Sequence, residues 1–558
     1  MIAKNTDISD AFGANENFMP RRQGFESIST FYYEKAFADP NHLEVWVYTD
    51  RLSYRPGDVV CFHASTTAVS AELRIVLDGK VPREIANIPI EPVSYGVCDD
   101  YRGEDCRWPE AARWQVPDDS PSGLYIVTIR GSDQNGYVRE HEHAIIVRPA
   151  GDVRRGRLLL VAATCTWQAY NDWGGANHYY AAHPVDGLTA SAKLSVRRPY
   201  SRGFIWLPNG APRKVGRRRS GEISRQPVNE FAFSYGLSKF YGSAGWASYE
   251  RNFVVWAEEQ GYQLDVVAQH DLHTDASILD GYSVVVVVGH DEYWTWEMRD
   301  VVDKFVDDGG HVARFAGNFA TQVRLEDDAS TQICYRREAA KLDPVGPHSS
   351  RLTGAWELAS IGRPGALTFG LNGGEGAMAG IGGLSSQTNS SFITMDPDAW
   401  IFRGLNLTYG DLVGDSPVFG YEVDGLEFTM QDGRPVPTGR NCPEGVEIFA
   451  VGFGTWTEPS TPQKGEVFGY GDASAFVSWV RYGSFTENQL AAATRGNGMI
   501  ASYRRGKGEV LNIGTANWVE GLLRRDAVIE GITRNVLDEF LSREPQPKVD
   551  SKRAEQSE

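Results

Sequence analysis

The chain has 558 residues, long enough for two to four domains that each have a hydrophobic core of their own. Hydrophobic residues make up 41% of it, and the longest aliphatic run, residues 284–288, is far shorter than the roughly 20 residues of a membrane helix, so a disordered chain, a coiled coil and a membrane span are excluded. With 55 basic and 73 acidic residues the net charge is −18, which repels nucleic acid and anionic membranes.

The cysteines and the N-terminus indicate the compartment. Residues 1–13 lack the basic and apolar blocks of a signal peptide, and the six cysteines contain no C-x-x-C pair. We therefore expect a reduced, cytoplasmic protein. Cys98 and Cys106 flank an acidic segment and are close enough in sequence to suggest a disulfide, the alternative being two free thiols.

Residues 43–148 predict an antiparallel β-sandwich. Apolar and polar residues alternate at 43–47 and 73–77, and turn sequences such as Arg-Pro-Gly-Asp at 55–58 separate the short strands. The preceding residues, 1–42, are interpreted as an N-terminal arm.

From residue 152 to residue 543 the pattern changes to strands that alternate with helices. Residues 158–161 form a continuous apolar run, which is what a parallel strand buried on both faces requires. Further elements are predicted as strands at 262–267, 283–288, 311–315 and 509–513, and as helices at 249–259, after Thr295 and at 526–540. The alternation predicts a doubly wound α/β domain that binds ligands beyond the carboxyl ends of its strands.

Two segments of the second half depart from this pattern. Residues 352–461 are rich in Gly, Thr and Asn, and they predict a β insertion folded over the sheet. Residues 544–558 have no apolar content and predict a polar tail.

The sequence Gly-His-Asp-Glu-Tyr-Trp at 289–294 directly follows the strand predicted at 283–288. In an extended chain residues i and i+2 point to the same side, so His290 and Glu292 present an imidazole and a carboxylate together at the end of a strand. Such ligands suit a transition metal such as iron or zinc. The alternatives are a buried hydrogen bond between the two side chains and a helix-capping role.

Other polar segments are open to more than one interpretation. Residues 164–175 are interpreted as a loop in which Trp167 and Trp173 line a pocket or form an aromatic cluster. No G-x-S-x-G or G-x-C-x-G sequence occurs, which disfavours covalent catalysis at a nucleophile elbow, and Cys165 is interpreted as a small buried filler. Basic residues at 213–219, including Arg213 and Lys214, predict a solvated loop or else a grip on an anion or a partner subunit.

Taken together, five segments of the chain resemble the large (beta) subunit of N,N-dimethylformamidase, namely residues 166–175, 198–200, 289–294, 310–318 and 508–515. The resemblance covers most of residues 45–540. It implies a β-sandwich joined to a glutamine-amidotransferase-like α/β domain that lacks the amidotransferase nucleophile. It also implies a metal-dependent amidohydrolase that uses activated water to cleave small N-substituted amides, dimethylformamide giving formate and dimethylamine.

The resemblance further implies a site and partners. It implies a mononuclear iron, Fe(III) rather than zinc, held by Tyr200, His290 and Glu292, with Tyr170 as the alternative tyrosine. Asn318 matches a polar active-site amide, and Glu422 matches an acidic active-site residue, assigned here as general base. A small helical subunit is a possible partner of a large subunit of this kind, and a homo-oligomer is expected.

A second hypothesis belongs to another class of protein. A non-catalytic saccharide-binding protein with a degenerate amidotransferase-like domain would need no metal, but it would need an aromatic face on the sandwich. Trp46, Trp108 and Trp114 are the candidates for that face. The pairing of His290 with Glu292 argues against this hypothesis.

Overall fold

The computed structural model describes most of the chain between residues 33 and 543. The described residues are 33–98, 100–149, 157–182, 188, 190–214, 227–376, 384–385, 391–420, 422–439, 441–455, 478, 481–482, 486–493 and 495–543. Most of the predicted arm, the polar tail and the arginines at 217–219 lie outside the described residues. Within the described part, no helix is long and apolar enough to span a membrane.

The N-terminal part of the fold consists of two sheets of mostly antiparallel strands that share one hydrophobic core. The sheet orders are β1-β3-β6 and β2-β8-β7-β4-β5, and the short β2 pairs in parallel with β8. Apolar side chains from both sheets, such as Val47 and Tyr125, pack in the same buried cluster. The strands are β1 (Val45–Thr49), β2 (Ser53–Tyr54), β3 (Val59–Thr66), β4 (Ser70–Leu77), β5 (Arg83–Ile90), β6 (Glu110–Gln115), β7 (Gly123–Ser132) and β8 (Val138–Val147).

The second part is built on a large mixed sheet with the order β11-β9-β12-β14-β24-β23-β22-β18. The strands from β11 to β24 in this order are parallel, whereas β23, β22 and β18 add to the β24 edge antiparallel. The strands are β9 (Leu158–Ala162), β10 (Lys193–Ser195), β11 (Leu264–Ala268), β12 (Val284–His290), β13 (Tyr293–Trp294), β14 (His311–Gly317), β15 (Thr321–Gln322), β16 (Arg324–Glu326), β17 (Thr331–Ile333), β18 (Leu384–Ser385), β19 (Ile393–Thr394), β20 (Phe428–Gln431), β21 (Arg434–Pro437), β22 (Glu447–Thr455), β23 (Arg495–Arg505) and β24 (Gly508–Asn512).

Helices connect and cover the strands of the large sheet. The α-helices are α1 (Thr164–Tyr170), α2 (Pro227–Tyr235), α3 (Glu250–Glu259), α4 (Gln269–Thr274), α5 (Trp296–Asp307), α6 (Ala339–Leu342), α7 (Ala366–Phe369), α8 (Glu487–Ala492), α9 (Trp518–Leu523) and α10 (Ala527–Ser542). Local signals in the sequence explain their ends. The hydroxyl of Thr295 accepts a hydrogen bond from the Met298 amide and caps α5, and Gly261 takes a positive φ just beyond α3.

Two predictions about individual segments need revision. The segment at 164–175, predicted as a loop, begins with the helix α1, whose residues are all buried. The reason is that the segment directly follows a parallel strand, where an α/β fold turns the chain back as a helix. The segment at 352–461, predicted to fold over the sheet, contributes β22 and the short strands β18 and β19 to the edge of that sheet.

Buried histidines join the two-sheet part to the rest of the molecule. Nε2 of His141 lies 2.7 Å from the Tyr200 carbonyl oxygen, and the His143 ring stacks on the Tyr200 ring with 5.3 Å between centroids. Burial lowers the pKa of His143 to about 3 and that of His141 well below its ordinary value. Both imidazoles are therefore neutral in the folded protein at pH 7.

We expect the free energy of unfolding to fall as the pH drops from 7 to 5. Each histidine keeps a low pKa when folded but takes up a proton near pH 6.5 when unfolded, so acid favours the unfolded chain. The loss amounts to about 2 kcal/mol per histidine over this interval. Denaturant unfolding at several pH values should show a smaller pH dependence for His143→Gln than for the wild type. The exposed His348 provides the control His348→Gln, which should behave like the wild type. An unchanged pH dependence in His143→Gln would contradict the assignment.

Candidate metal centre

Four polar side chains meet at the carboxyl edge of the parallel strands. His290 is the last residue of β12 and pairs with Gly317, the last residue of β14. Asn318 directly follows that strand, and Glu292 lies two residues beyond the end of β12. Glu422 reaches the same edge because the neighbouring residue Val423 forms a β-bridge with Thr515, just beyond β24. This edge is where ligands bind in open α/β sheets.

The imidazole of His290 is held in one orientation. Its Nδ1 lies 2.6 Å from the Ser243 carbonyl oxygen, which can only accept, so Nδ1 carries the hydrogen. Gly289 allows this placement, because its φ is +81° and a Cβ there would lie 2.3 Å from the Cβ of Tyr249. Nε2 is left to face Glu422, at 2.5 Å, and Glu292, at 3.6 Å.

Asn318 and Glu422 close one side of the cluster. The amide nitrogen of Asn318 lies 3.1 Å from Nε2 of His290 and also donates to Oε2 of Glu422. Asn318 has a φ of +66°, a left-handed conformation that asparagine tolerates better than most residues. A Cβ at Gly373 would lie 2.7 Å from Oδ1 of Asn318, so the glycine leaves room for the amide.

Glu292 is surrounded by hydroxyl groups and one guanidinium group. The hydroxyls of Tyr170 and Tyr179 lie 2.9 Å and 2.5 Å from its Oε2. Thr321 donates to Oε1 at 3.2 Å, and a guanidinium nitrogen of Arg336 lies 4.0 Å from the same oxygen. These donors satisfy the oxygens of the Glu292 carboxylate in its buried position.

His290, Glu292 and Glu422 form a group that could hold a metal ion. Their donor atoms lie within 4.8 Å of one another, and all three residues are buried. Desolvation alone would lower the pKa of His290, but the carboxylates of Glu422 and Glu292 outweigh it and raise that pKa. The carboxylates thus attract a cation to Nε2, and one imidazole with two carboxylates is a donor set that fits iron or zinc.

Four of the five predicted site residues lie at this edge, and the fifth, Tyr200, does not. His290, Glu292, Asn318 and Glu422 meet as described. The Tyr200 ring packs beside His143, and its hydroxyl has no hydrogen-bond partner among the described residues. Burial raises the pKa of Tyr200, as it does that of Tyr179, so the pKa values do not choose between these phenols. The geometry therefore favours Tyr170, the alternative, and Tyr179 as the phenols of the site.

Residues that sequence reasoning missed complete the surroundings of the cluster. Tyr179 lies nine positions after Tyr170 and the two hydroxyls are 2.5 Å apart, so the dense aromatic sequence of this region was the available signal. Nothing in the sequence pointed to Arg336 or Ser243. Arg336 comes from a segment distant in the chain from Glu292, and Ser243 contributes its backbone carbonyl group.

The tryptophans proposed as pocket walls are part of the core instead. Trp167 donates to Glu250 at 3.0 Å, and Trp173 packs edge-on against Trp46 and Trp108.

Cys165 is fully buried, and burial raises its pKa well above its ordinary value, so it stays a thiol. Cys98 and Cys106 are both free.

Fold and site together define an α/β protein with an N-terminal pair of β-sheets and a buried histidine–carboxylate cluster at the carboxyl edge of its parallel strands. Residues 85–530 match the family model described as N,N-dimethylformamidase beta subunit-like, C-terminal, and the chain belongs to this family. This confirms the family that the sequence motifs suggested.

Two curated relatives agree with the family assignment. The N,N-dimethylformamidase beta subunits of an Alcaligenes species and of Paracoccus aminophilus are 24% and 23% identical to this chain over 462 residues. Each alignment covers 80% of this chain and 56% of the relative, so the chain spans about half the length of the curated relatives it matches. A structure of the sporulation control protein Spo0M from Bacillus subtilis aligns to 19% of the chain and 49% of that protein, at 14% identity, with a TM-score of 0.14, too low to support any argument.

We expect His290→Ala and Glu292→Ala each to lose bound metal while the protein remains folded. Each change removes one donor from a three-residue group, and the smaller side chain leaves no substitute donor. Metal content after purification measures the loss, and circular dichroism reports folding. Glu297→Ala, at a partly exposed carboxylate, is the matched control. Full metal content in either ligand variant would show that the pair is structural.

Proposed function

We propose that the chain is a metal-dependent amidohydrolase that cleaves the C–N bond of small N-substituted amides, N,N-dimethylformamide above all. The observation that carries the proposal is the buried group of His290, Glu292 and Glu422 at the strand ends. Its support from outside the structure is membership of a family whose curated relatives are named for dimethylformamidase. The chain covers about half the length of those relatives. We therefore propose both the amidohydrolase activity and a small helical partner subunit for this chain.

A mononuclear iron, in the ferric state, is the metal we propose, with zinc as the alternative. A bound metal of this kind polarises an amide carbonyl and makes water acidic enough to serve as the nucleophile near neutral pH. His290 and Glu292 would hold it, together with a tyrosine. Phenolate is a hard anionic donor that favours the ferric state, and the hydroxyls of Tyr170 and Tyr179 already contact Glu292.

The remaining side chains have roles that follow from their chemistry. Glu422 lies 2.5 Å from Nε2 of His290 and can take a proton from water and return it to the departing amine. Asn318 can donate from its amide to the substrate carbonyl oxygen or can orient the water. Burial of all four polar residues excludes bulk water, which strengthens each of these interactions.

Aromatic rings beside the cluster suit a small alkylated amide. The Phe240 ring lies 5.9 Å from the Tyr170 ring and 6.2 Å from the Tyr179 ring, between centroids. Phe240 and Tyr179 are only partly buried, whereas His290 is almost fully buried. The half-buried rings can therefore enclose N-methyl groups on the solvent side while the carbonyl points to the cluster.

The saccharide-binding hypothesis loses its main support. Trp46 and Trp108 are buried in a cluster with Tyr48 and Trp173, so they offer no open face for stacking on a sugar. Trp114 packs against the core shared by the two sheets. A stacking surface requires exposed rings, and these three tryptophans do not supply one.

A panel of amides tests the proposed activity. Formamides, acetamides and ureas with different N-substituents are incubated with the metal-loaded protein, and the release of amine is followed. We expect small N-alkyl formamides to be cleaved fastest, because little space separates the aromatic rings from the cluster. Glu422→Gln should lose most activity if Glu422 is the base, and its metal content shows whether the Glu422 carboxylate also binds the ion. Release of no amine, or a preference for large or charged amides, would overturn the substrate assignment.

The colour of the iron-loaded protein tests whether a tyrosine phenolate binds the metal. Phenolate bound to ferric iron absorbs visible light, so the iron-loaded protein should be tinted. We expect Tyr179→Phe to remove the band and Tyr170→Phe to weaken it, since both hydroxyls contact Oε2 of Glu292 and Tyr179 is the nearer. Tyr200→Phe removes a hydroxyl that has no hydrogen-bond partner in the part of the chain that the structure describes; it is the matched control and should keep the band. Bleaching by Tyr200→Phe alone would restore Tyr200 as the ligand, and a colourless iron-loaded protein would exclude any phenolate ligand.

A further inference from the structure

Lys214 is a cationic side chain that points inward beside the cluster and has no part in the roles assigned so far. Its Nζ donates to Oγ of Ser243 at 2.5 Å, and its charge acts on Glu422. The sequence pattern predicted a solvated loop here. The structure instead has Lys214 partly buried, and desolvation lowers its pKa to about 8, an effect that the charge of Glu422 opposes.

The chain around Lys214 is built to receive its side chain. A Cβ at Gly242 would lie 3.3 Å from Cγ of Lys214 and 3.0 Å from a methyl group of Val228, so the glycine makes room for the aliphatic stem. The Lys214 carbonyl oxygen accepts from the side-chain amide of Asn517 at 2.9 Å. The backbone and the ammonium of Lys214 are therefore both fixed by hydrogen bonds.

Ser243 connects this lysine to the cluster. Its hydroxyl contacts Lys214, and its carbonyl oxygen is the acceptor for Nδ1 of His290. The same residue thus holds the lysine with its side chain and the histidine with its backbone. A restraint on the Ser243 side chain limits the movement of its carbonyl group, and this carbonyl group sets the tautomer and the plane of the imidazole.

Charge gives a second reason for a cation at this place. Glu292 and Glu422 are both buried, and both carboxylates lie close to Nε2 of His290. A guanidinium nitrogen of Arg336 lies 4.0 Å from Glu292, and the ammonium group of Lys214 interacts electrostatically with Glu422. A cation near a buried carboxylate offsets part of the cost of burying it.

We propose that Lys214 is a positioning residue of the catalytic centre, which orients His290 through Ser243 and balances the charge of Glu422. The effect of Lys214 on turnover rests on the proposed function, whereas its effect on the orientation of the imidazole does not. Lys214 would not contact the substrate. It would act only through the geometry and charge of the groups that do.

The test replaces Lys214 by methionine, which keeps the length of the stem, and by arginine, which keeps the charge. For Lys214→Met we expect kcat and metal affinity each to fall by about tenfold, as is usual for residues that hold a metal ligand in place, with KM within about twofold. Lys214→Arg should recover most of both losses. Lys35→Met removes a lysine whose ammonium lies over the Phe37 ring, in the N-terminal part, and should match the wild type.

A second measurement reads the imidazole directly. Nitrogen-15 NMR of the metal-free protein reports the Nδ1–H group of His290, which is present whether or not Nε2 also carries a hydrogen. We expect one sharp Nδ1–H signal, shifted by the hydrogen bond to the Ser243 carbonyl oxygen, in the wild type and in Lys214→Arg, and a broadened signal in Lys214→Met. Circular dichroism shows whether Lys214→Met is folded, and Lys214→Arg carries the test through metal affinity if it is not.

The outcomes separate this inference from the proposed function. If the wild type binds metal and cleaves amides while Lys214→Met equals it in kcat, metal affinity and Nδ1–H signal, the inference is wrong and the function stands. If the wild type binds no metal and releases no amine, the proposed function fails. The NMR measurement then still decides the role of Lys214, because an unchanged Nδ1–H signal of His290 in Lys214→Met would overturn it.

Discussion

The candidate site depends on one buried arginine. Arg314 in β14 is fully buried, and its guanidinium group lies between the carboxylates of Asp291 and Asp424. Asp291 stands between His290, the last residue of β12, and Glu292, and Asp424 lies two positions after Glu422. Asp424 also accepts from the amide of Phe319 at 2.8 Å, directly after Asn318. One cation thus fixes the three chain segments that supply the site. Removing either partner of such a buried pair costs about 3–5 kcal/mol, since it leaves a charge uncompensated.

This arrangement separates the charges that hold the fold from those that perform chemistry. Asp291 points away from the cluster toward Arg314, whereas its two neighbours point into the cluster, because successive residues of an extended chain face opposite sides. On the side that faces Arg314, the Asp291 carboxylate also accepts hydrogen bonds from the side chains of Gln269 and Trp294. The side that faces the cluster places two carboxylates close to Nε2 of His290. A cation-seeking site can therefore exist without destabilising the strand ends that carry it.

Sequence patterns revealed the site residues that lie close together in the chain and missed those that depend on contacts between distant segments. His290 and Glu292 could be found because a valine-rich strand ends there and an i, i+2 spacing aligns them. Asn318 and Glu422 are 104 positions apart, and only the family resemblance pointed to both. The resemblance implied Tyr200 as the ligand and Tyr170 as the alternative, and nothing in the sequence showed that the Tyr200 ring packs against His143. Lys214 looked like one of several surface cations, because the groups that bury it come from three other segments.

The hydrogen bonds of Glu292 have a consequence for the speed of metal exchange. Both phenol hydroxyls use the oxygen of Glu292 that faces His290, so an incoming ion can bind this oxygen only after at least one of them has moved. The Tyr293 hydroxyl donates to Tyr179 at 2.8 Å, and the Arg336 guanidinium lies 3.7 Å from the centre of the Tyr179 ring, so that ring is not free to rotate away alone. Loading and release then require a concerted opening of this aromatic layer. The lifetime of an ion held by this group would then depend on a conformational barrier as well as on its affinity.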